Sequence, residues 1–202
     1  MSSAEREAAE LLWQAWQAQS RLEALPDAIR PQSRAAGYRI GSELATLSGQ
    51  QVVGWKIAAT SKAGQAHINV DGPLAGRLLS ERMIAPQGAV RLGDNIMKVA
   101  EAEFAFRFAC DLPKRDEAYT LAEVIGAVES LHPSIEIPDS RYQDFTKVGA
   151  PSLIADTACA CWLMIGEAFP PSWREIDLSE HRISVLKDDV TVADGSGKAA
   201  LG

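Results

Sequence analysis

At 202 residues the chain has the length of one ordinary domain and enough material for a sizeable core. Hydrophobic residues make up 47% and charged residues 23%, the balance of a globular protein. A net charge of -7 argues against a sequence-independent grip on nucleic acid or on an anionic membrane surface. No stretch approaches the roughly 18 apolar residues of a spanning helix. The opening residues MSSAEREAAE lack the basic-then-apolar pattern of a secretory signal. Three Cys are too few, and odd in number, for a disulfide framework, so a reducing cytoplasm is the expected location.

In chain order, the first fifty residues read as helical. Ser2 with Glu5 forms a capping-box pattern ahead of Ala8, Ala9, Leu12, Trp13 and Trp16, spaced for one helix face. The Trp13–Trp16 spacing is read as packing in a core-facing stripe rather than as a ligand platform. Pro26 and Pro31 separate this helix from a second, marked by Ala36, Ile40, Leu44 and Leu47, with Gly49 as its stop.

After Gly49 the period changes. Gln51 to Ala59 alternates, with Val53, Trp55 and Ile57 on one face and Val52, Lys56 and Ala58 on the other, the pattern of a strand. Thr60 or Ser61 can cap a short helix through His67. Residues 69–95 are rich in Gly and Pro and read as irregular structure with short strands. Lys98–Cys110 and Leu131–Asp139 are strong strands, with a short helix over Leu121–Glu129 between them. Ala155–Gly166 is a third apolar, strand-like run, for which period alone leaves a helix open. Arg182–Val192 reads as two strand pieces around a Lys187-Asp188-Asp189 turn. Helices first and strands later predict an α+β chain rather than a regular βαβ alternation.

The segment that carries chemistry is Val99-Ala-Glu-Ala-Glu-Phe-Ala-Phe106. On a strand, Glu101 and Glu103 share a face, and Ala100, Ala102, Phe104 and Phe106 form an apolar face suited to a core. Two carboxylates so close repel and raise each other's pKa unless water, a basic residue or a cation compensates. In Pro133-Ser-Ile-Glu-Ile-Pro-Asp-Ser-Arg141, Ser134 and Glu136 share one face and Ile135 and Ile137 the other. If the two strands are neighbours, Glu101, Glu103 and Glu136 converge. Three carboxylates with no His or Cys beside them suit a hard cation such as Mg²⁺ or Mn²⁺ rather than zinc. Taken alone, Glu-x-Glu also fits a solvated strand face, and Lys56 a surface cation.

The remaining residues offer less. His67, His132 and His181 are scattered without paired spacing. Cys159 and Cys161 alternate on the apolar run and read as buried small hydrophobes, since the spacing is not Cys-x-x-Cys. There is no Gly-x-Gly-x-x-Gly, P-loop or Gly-x-Ser-x-Gly. Asp139 and Arg141 fit either a structural pair or part of a site rim.

Taken in series, seven segments resemble the 2-keto-4-pentenoate hydratase family, which includes 2-oxohept-3-enedioate hydratases and 4-oxalocrotonate decarboxylases within the fumarylacetoacetate hydrolase superfamily. They are Gly54-Trp-Lys-Ile, Thr60-Ser-Lys-Ala, Val70-Asp-Gly-Pro-Leu-Ala-Gly76, Ala100-Glu-Ala-Glu-Phe-Ala-Phe, Ile135-Glu-Ile-Pro-Asp-Ser-Arg, Ile154-Ala-Asp-Thr and Gly195-Ser-Gly-Lys-Ala-Ala-Leu-Gly202. The resemblance implies a helical N-terminal region over 1–49 and a metal-binding, β-rich catalytic domain over 50–202 with the superfamily's mixed β-roll. It implies that Glu101, Glu103 and Glu136 hold Mg²⁺ or Mn²⁺ and that Lys56 is the active-site lysine. The reaction implied is hydration of a 2-hydroxydienoate or 2-oxo-enoate in aromatic compound catabolism, with 2-oxo acid decarboxylation or C–C hydrolysis at the same centre as alternatives. A homo-oligomer acting on a small 2-oxo acid is the expected form.

Two departures qualify that expectation. Leu74 stands where many family members carry an acidic residue, which leaves Asp71 as a nearby acid–base candidate. In the family the Gly-rich segment leads on into a helix and further strands, so the resemblance implies a chain short at its C-terminal end, either a fragment or a truncated paralogue. The latter would act as a non-catalytic structural or regulatory subunit.

Overall fold

Ser2 opens the first helix, α1 (Ser3–Ala18), with the reciprocal cap its spacing predicts: its hydroxyl accepts from the Glu5 N–H, and its own N–H donates to the Glu5 carboxylate. The computed structural model describes residues 1–200; Leu201 and Gly202, the end of the Gly-rich segment, lie outside the described residues. The second helix, α2 (Arg34–Ser48), is capped by Ser33 and ends at Gly49, whose φ of 66° is left-handed and suits glycine. Ala8, Leu12, Ile40 and Leu44 meet Leu25, Tyr142 and Ala155 in one apolar cluster. Each fully buried Leu or Ile there contributes roughly 1.5–3 kcal/mol. Among the described residues no helix is long and apolar enough to cross a membrane.

The strands follow. β1 (Val52–Ala58) and β2 (Leu74–Leu79) form an antiparallel ribbon, joined through α3 (Lys62–His67), whose cap is the Ser61 hydroxyl. Then come β3 (Met83–Ile84), β4 (Glu101–Phe108), α4 (Leu121–Ala127), β5 (Val128–Ile137), α5 (Gly149–Ala155) and β6 (Trp162–Ile165). A four-stranded sheet has the order β3-β6-β5-β4, antiparallel except for the β3–β6 pair. β7 (Arg182–Lys187) and β8 (Val190–Ser196) make a separate hairpin that turns at Asp188 and Asp189, both at positive φ. The mixed helix-and-sheet content and the element order agree with an α+β chain.

Three local expectations are corrected. The run Ala155–Gly166 is a strand only over Trp162–Ile165; its start ends α5, and Thr157, Ala158 and Cys159 form a tight turn at φ 53°, 50° and 65°. Cys159 and Cys161 are buried as expected, but by this turn rather than by strand alternation. The apolar face of β4 is not a closed core: Phe106 is 41% exposed, and Ile135 on β5 is 45% exposed, while Ser134 and Glu136 are buried. The reason is what covers the sheet. The Lys56 side chain of β1 reaches Glu136, so the ribbon lies over the carboxylate face, while the apolar face is covered only in part, by Phe169, Trp173 and Leu178 packed near Phe104, Phe106 and Leu131. Asp139 and Arg141, two residues apart, do not pair with each other; Asp139 binds Arg21 and Arg141 binds Asp156.

Candidate metal centre

Register decides the geometry of the centre. β4 and β5 run antiparallel with Glu101 opposite Glu136 and Glu103 opposite Ser134, so all three glutamates project from one face. Each offers a carboxylate oxygen within 4.8 Å of the others, and Glu101, Glu103 and Glu136 run from exposed through intermediate to fully buried. A site graded this way is open to solvent on one side only.

Lys56 closes the buried side. Its Nζ lies 3.0 Å from Glu136 Oε2, and both side chains are almost wholly buried. The contact is an ion pair rather than an aligned hydrogen bond, and both Glu136 oxygens lack a hydrogen-bond donor. Buried carboxylate oxygens left so are costly, and a cation is the partner their chemistry fits. Lys56 is therefore not the surface cation that its strand position alone allowed.

Burial sets the protonation of the cluster. It pushes Glu136 up to about 7, against the opposing pull of Lys56 and with added repulsion from Glu103 and Glu101. Burial also raises Glu103, again against Lys56. For Lys56, burial works to lower the pKa, but Glu136, Cys159 and Glu101 outweigh it, so the ammonium is held above the ordinary lysine range.

A pH prediction follows from these directions. The folded-state pKa of Glu136 lies above its unfolded value of 4.5, so its contribution to stability is full below that value and is lost as pH rises through about 7. The metal-free protein should lose roughly 3 kcal/mol over that window, at 1.36 kcal/mol per unit. Divalent-cation affinity should run the opposite way, rising about tenfold per pH unit up to about 7 and levelling above it, because binding displaces a proton. Calorimetric titration with Mn²⁺ across pH, beside melting curves of the metal-free protein, checks both signs.

The wall behind Lys56 is built from the turn after α5. Lys56 pairs across the ribbon with Gly76, and a Cβ at Gly76 would fall on the Thr157 carbonyl oxygen. Three consecutive left-handed residues cost roughly 1–2 kcal/mol each. They are held by Asp156, which is fully buried and accepts from the Ser140 hydroxyl at 2.7 Å, the Arg141 N–H at 2.9 Å and the Arg141 guanidinium. Burial opposes the charge on Arg141, but Asp156 prevails and keeps it protonated. This pair was not singled out from sequence. Its available signal was a lone Asp inside the apolar run from Leu153 to Trp162.

Asp71 lies elsewhere. Its side chain is 87% exposed and ion-paired with Arg34, which holds its carboxyl below the usual range. Leu74 is fully buried in the apolar cluster of Leu153 and Ile154. His132 bonds Ser130 and the Gly166 carbonyl, and His181 packs between Phe104 and Phe169, so both serve structure.

No family model matches the sequence. Individual relatives do. The chain is 34% identical over 176 residues to 2-keto-4-pentenoate hydratase 1 of Dechloromonas aromatica (strain RCB), covering 87% of this chain and 65% of that protein. It is 33% identical over 157 residues to 2-hydroxypent-2,4-dienoate hydratase of Pseudomonas putida, covering 77% of this chain and 68% of that protein. The chain belongs to the 2-keto-4-pentenoate hydratase family. It spans about two thirds of the length of the curated relatives it matches. Structure agrees with this family placement: 4-oxalocrotonate decarboxylase from Pseudomonas putida G7, complexed with magnesium and adipate, matches with a TM-score of 0.84 at 25% identity, over 98% of this chain and 75% of that one.

Proposed function

We propose that the chain carries the centre of a divalent-metal-dependent hydratase that adds water to a 2-hydroxydienoate or 2-oxo-enoate in aromatic compound catabolism. The observation that carries this reading is the convergence of Glu101, Glu103 and Glu136 within 4.8 Å beside the buried Lys56. These three glutamates would hold Mg²⁺ or Mn²⁺. Such an ion, when bound, supplies Lewis-acid stabilisation of the enolate of a chelating 2-oxo acid.

The chain's own residues do the rest. Lys56, protonated and shielded from water, places a positive charge where negative charge develops and can return a proton to the substrate carbon. The turn at Thr157–Cys159 and the closely packed Gly76 fix its approach. Asp71 is already committed to Arg34, and an acid so depressed is a weak base; in this reading it holds its loop rather than moving protons. The two ribbons and the four-stranded sheet are assigned to the superfamily's β-roll, and the domains to 1–49 and 50–202. A cytoplasmic homo-oligomer goes with the same reading. The half-exposed row Val53, Trp55 and Ile57 supports a covered outer face.

The test is turnover of 2-hydroxypenta-2,4-dienoate by the full-length protein with Mg²⁺ or Mn²⁺, followed as loss of the dienoate absorbance. Metal-dependent loss, abolished in Glu103→Ala, is the expected result. No loss with either metal sinks the hydratase assignment. Decarboxylation is the second reading, favoured by the structural match to a decarboxylase. Release of CO₂ from a 4-oxalocrotonate-type acid would select it, formation of two carboxylic acids would select C–C hydrolysis, and absence of all three reactions would select a non-catalytic subunit.

A further inference from the structure

The metal centre accounts for the orphaned acceptors of Glu136. Three other buried polar atoms lack hydrogen-bond partners: the Tyr142 hydroxyl, within the core of the helices, and two nitrogen donors, Trp16 Nε1 and Arg21 Nε. Trp16 and Arg21 line one cleft between the end of α1, the stretch 91–95 and β6. In a chain of net charge -7, this lining gathers Arg21, Arg82, Arg91 and Arg141 against Asp94 and Asp139. Asp139 and Asp156 already neutralise Arg21 and Arg141.

Arg82 is the organised group. Its guanidinium lies 4.7 Å from the ring centre of Trp16 and 4.5 Å from that of Trp162, held against both indoles. Its Nε bonds Glu81 at 3.2 Å, and its two terminal nitrogens meet no protein acceptor among the described residues. A guanidinium held over two indole rings, with its two terminal nitrogens unpaired among the described residues, can offer two parallel bonds to an oxyanion. Arg91 sits on the rim, without an ion-pair partner among the described residues. The cleft is separate from the metal centre: Trp162 is in register with Ile137, one residue from Glu136, and so projects from the opposite face of the sheet.

We propose that this cleft is a second ligand site, taking a small oxyanion, carboxylate or phosphate, on the indole-clamped fork of Arg82 with Arg91 closing over it. The Trp16 side chain then does more than fill a core stripe, since it holds the recognising arginine.

The experiment titrates metal-free protein in EDTA with succinate and, separately, with inorganic phosphate, read by tryptophan fluorescence and calorimetry. Saturable binding of either anion is expected, weakened at least about tenfold in Arg82→Gln, as loss of a charge-assisted pair implies. The same loss in direction is expected in Arg91→Gln, whose exposed position leaves the fold intact if Arg82→Gln does not fold. Glu103→Ala should bind the anion as wild type does, which separates this site from the metal centre. Response to succinate alone identifies a carboxylate ligand, and response to phosphate alone a phosphorylated one. No saturable signal, or equal affinity in wild type and both arginine variants, overturns the proposal.

Discussion

Lys56→Met is expected to lower kcat on the dienoate by roughly 10²–10⁴-fold, the range for loss of a positioned proton donor or charge stabiliser. Metal binding should respond in the other direction. Among the described residues the substitution removes the only ammonium beside the three carboxylates, and with it the pull that lowers Glu136, so Mn²⁺ affinity should hold or tighten at a pH well above 7. Glu136→Gln removes a donor oxygen and should weaken Mn²⁺ binding while leaving Lys56 a neutral partner of the same shape. The pair of variants therefore splits the two roles. Steady-state rates beside calorimetric titration measure it. If Lys56→Met loses metal binding in proportion to its loss of turnover, Lys56 acts by holding the cluster together and not in the reaction.

The largest stability effect is expected at Asp156→Ala. Arg141 is 3% exposed and its whole charge is met by Asp156, so truncating the acid leaves a buried cation alone. Breaking such a pair costs roughly 3–5 kcal/mol. At about 2–4 °C per kcal/mol for a chain of this size, the midpoint of thermal unfolding should fall by about 10 °C or more. The double variant Asp156→Ala with Arg141→Met should recover much of that loss, because the stranded charge is gone. A midpoint that scarcely moves in Asp156→Ala would show that water reaches the pair and that the turn behind Lys56 stands without it.

Much of the centre was legible because its local logic has a period of two. Glu101 and Glu103 had to share a face once their segment was a strand, and Glu136 had to oppose Ile135 and Ile137. Convergence was a different matter. The pairing of Glu101 with Glu136 joins strands 35 positions apart, and nothing local encodes that register. Orientation was harder still. The alternation of Phe104 and Phe106 with the acids reads as core inside and acids outside, yet Phe106 is half-exposed and Glu136 is sealed. What seals Glu136 is a lysine from a distant ribbon, and tertiary cover of that kind leaves no periodic trace. Asp156 failed for a related reason. A charge in an apolar run has meaning only when its partner is known, and Arg141 sits beyond a loop and a helix. The first two helices were read with least error, because caps such as Ser2–Glu5 and Gly49 are local by nature, whereas α5, whose start has no side-chain cap, was not read at all.

The contact between Lys56 and Glu136 bears on the order of assembly. Three carboxylates gathered in one place would ordinarily resist collapse until a metal arrived, making folding hostage to supply. Here the polypeptide brings its own resident cation to the deepest acid, and the raised pKa of Glu136 lets a proton share that duty. The chain can thus reach its native topology while metal-free and be loaded afterwards. Chelation should empty the centre and leave the helices and sheets standing, in contrast to small domains whose metal is their core.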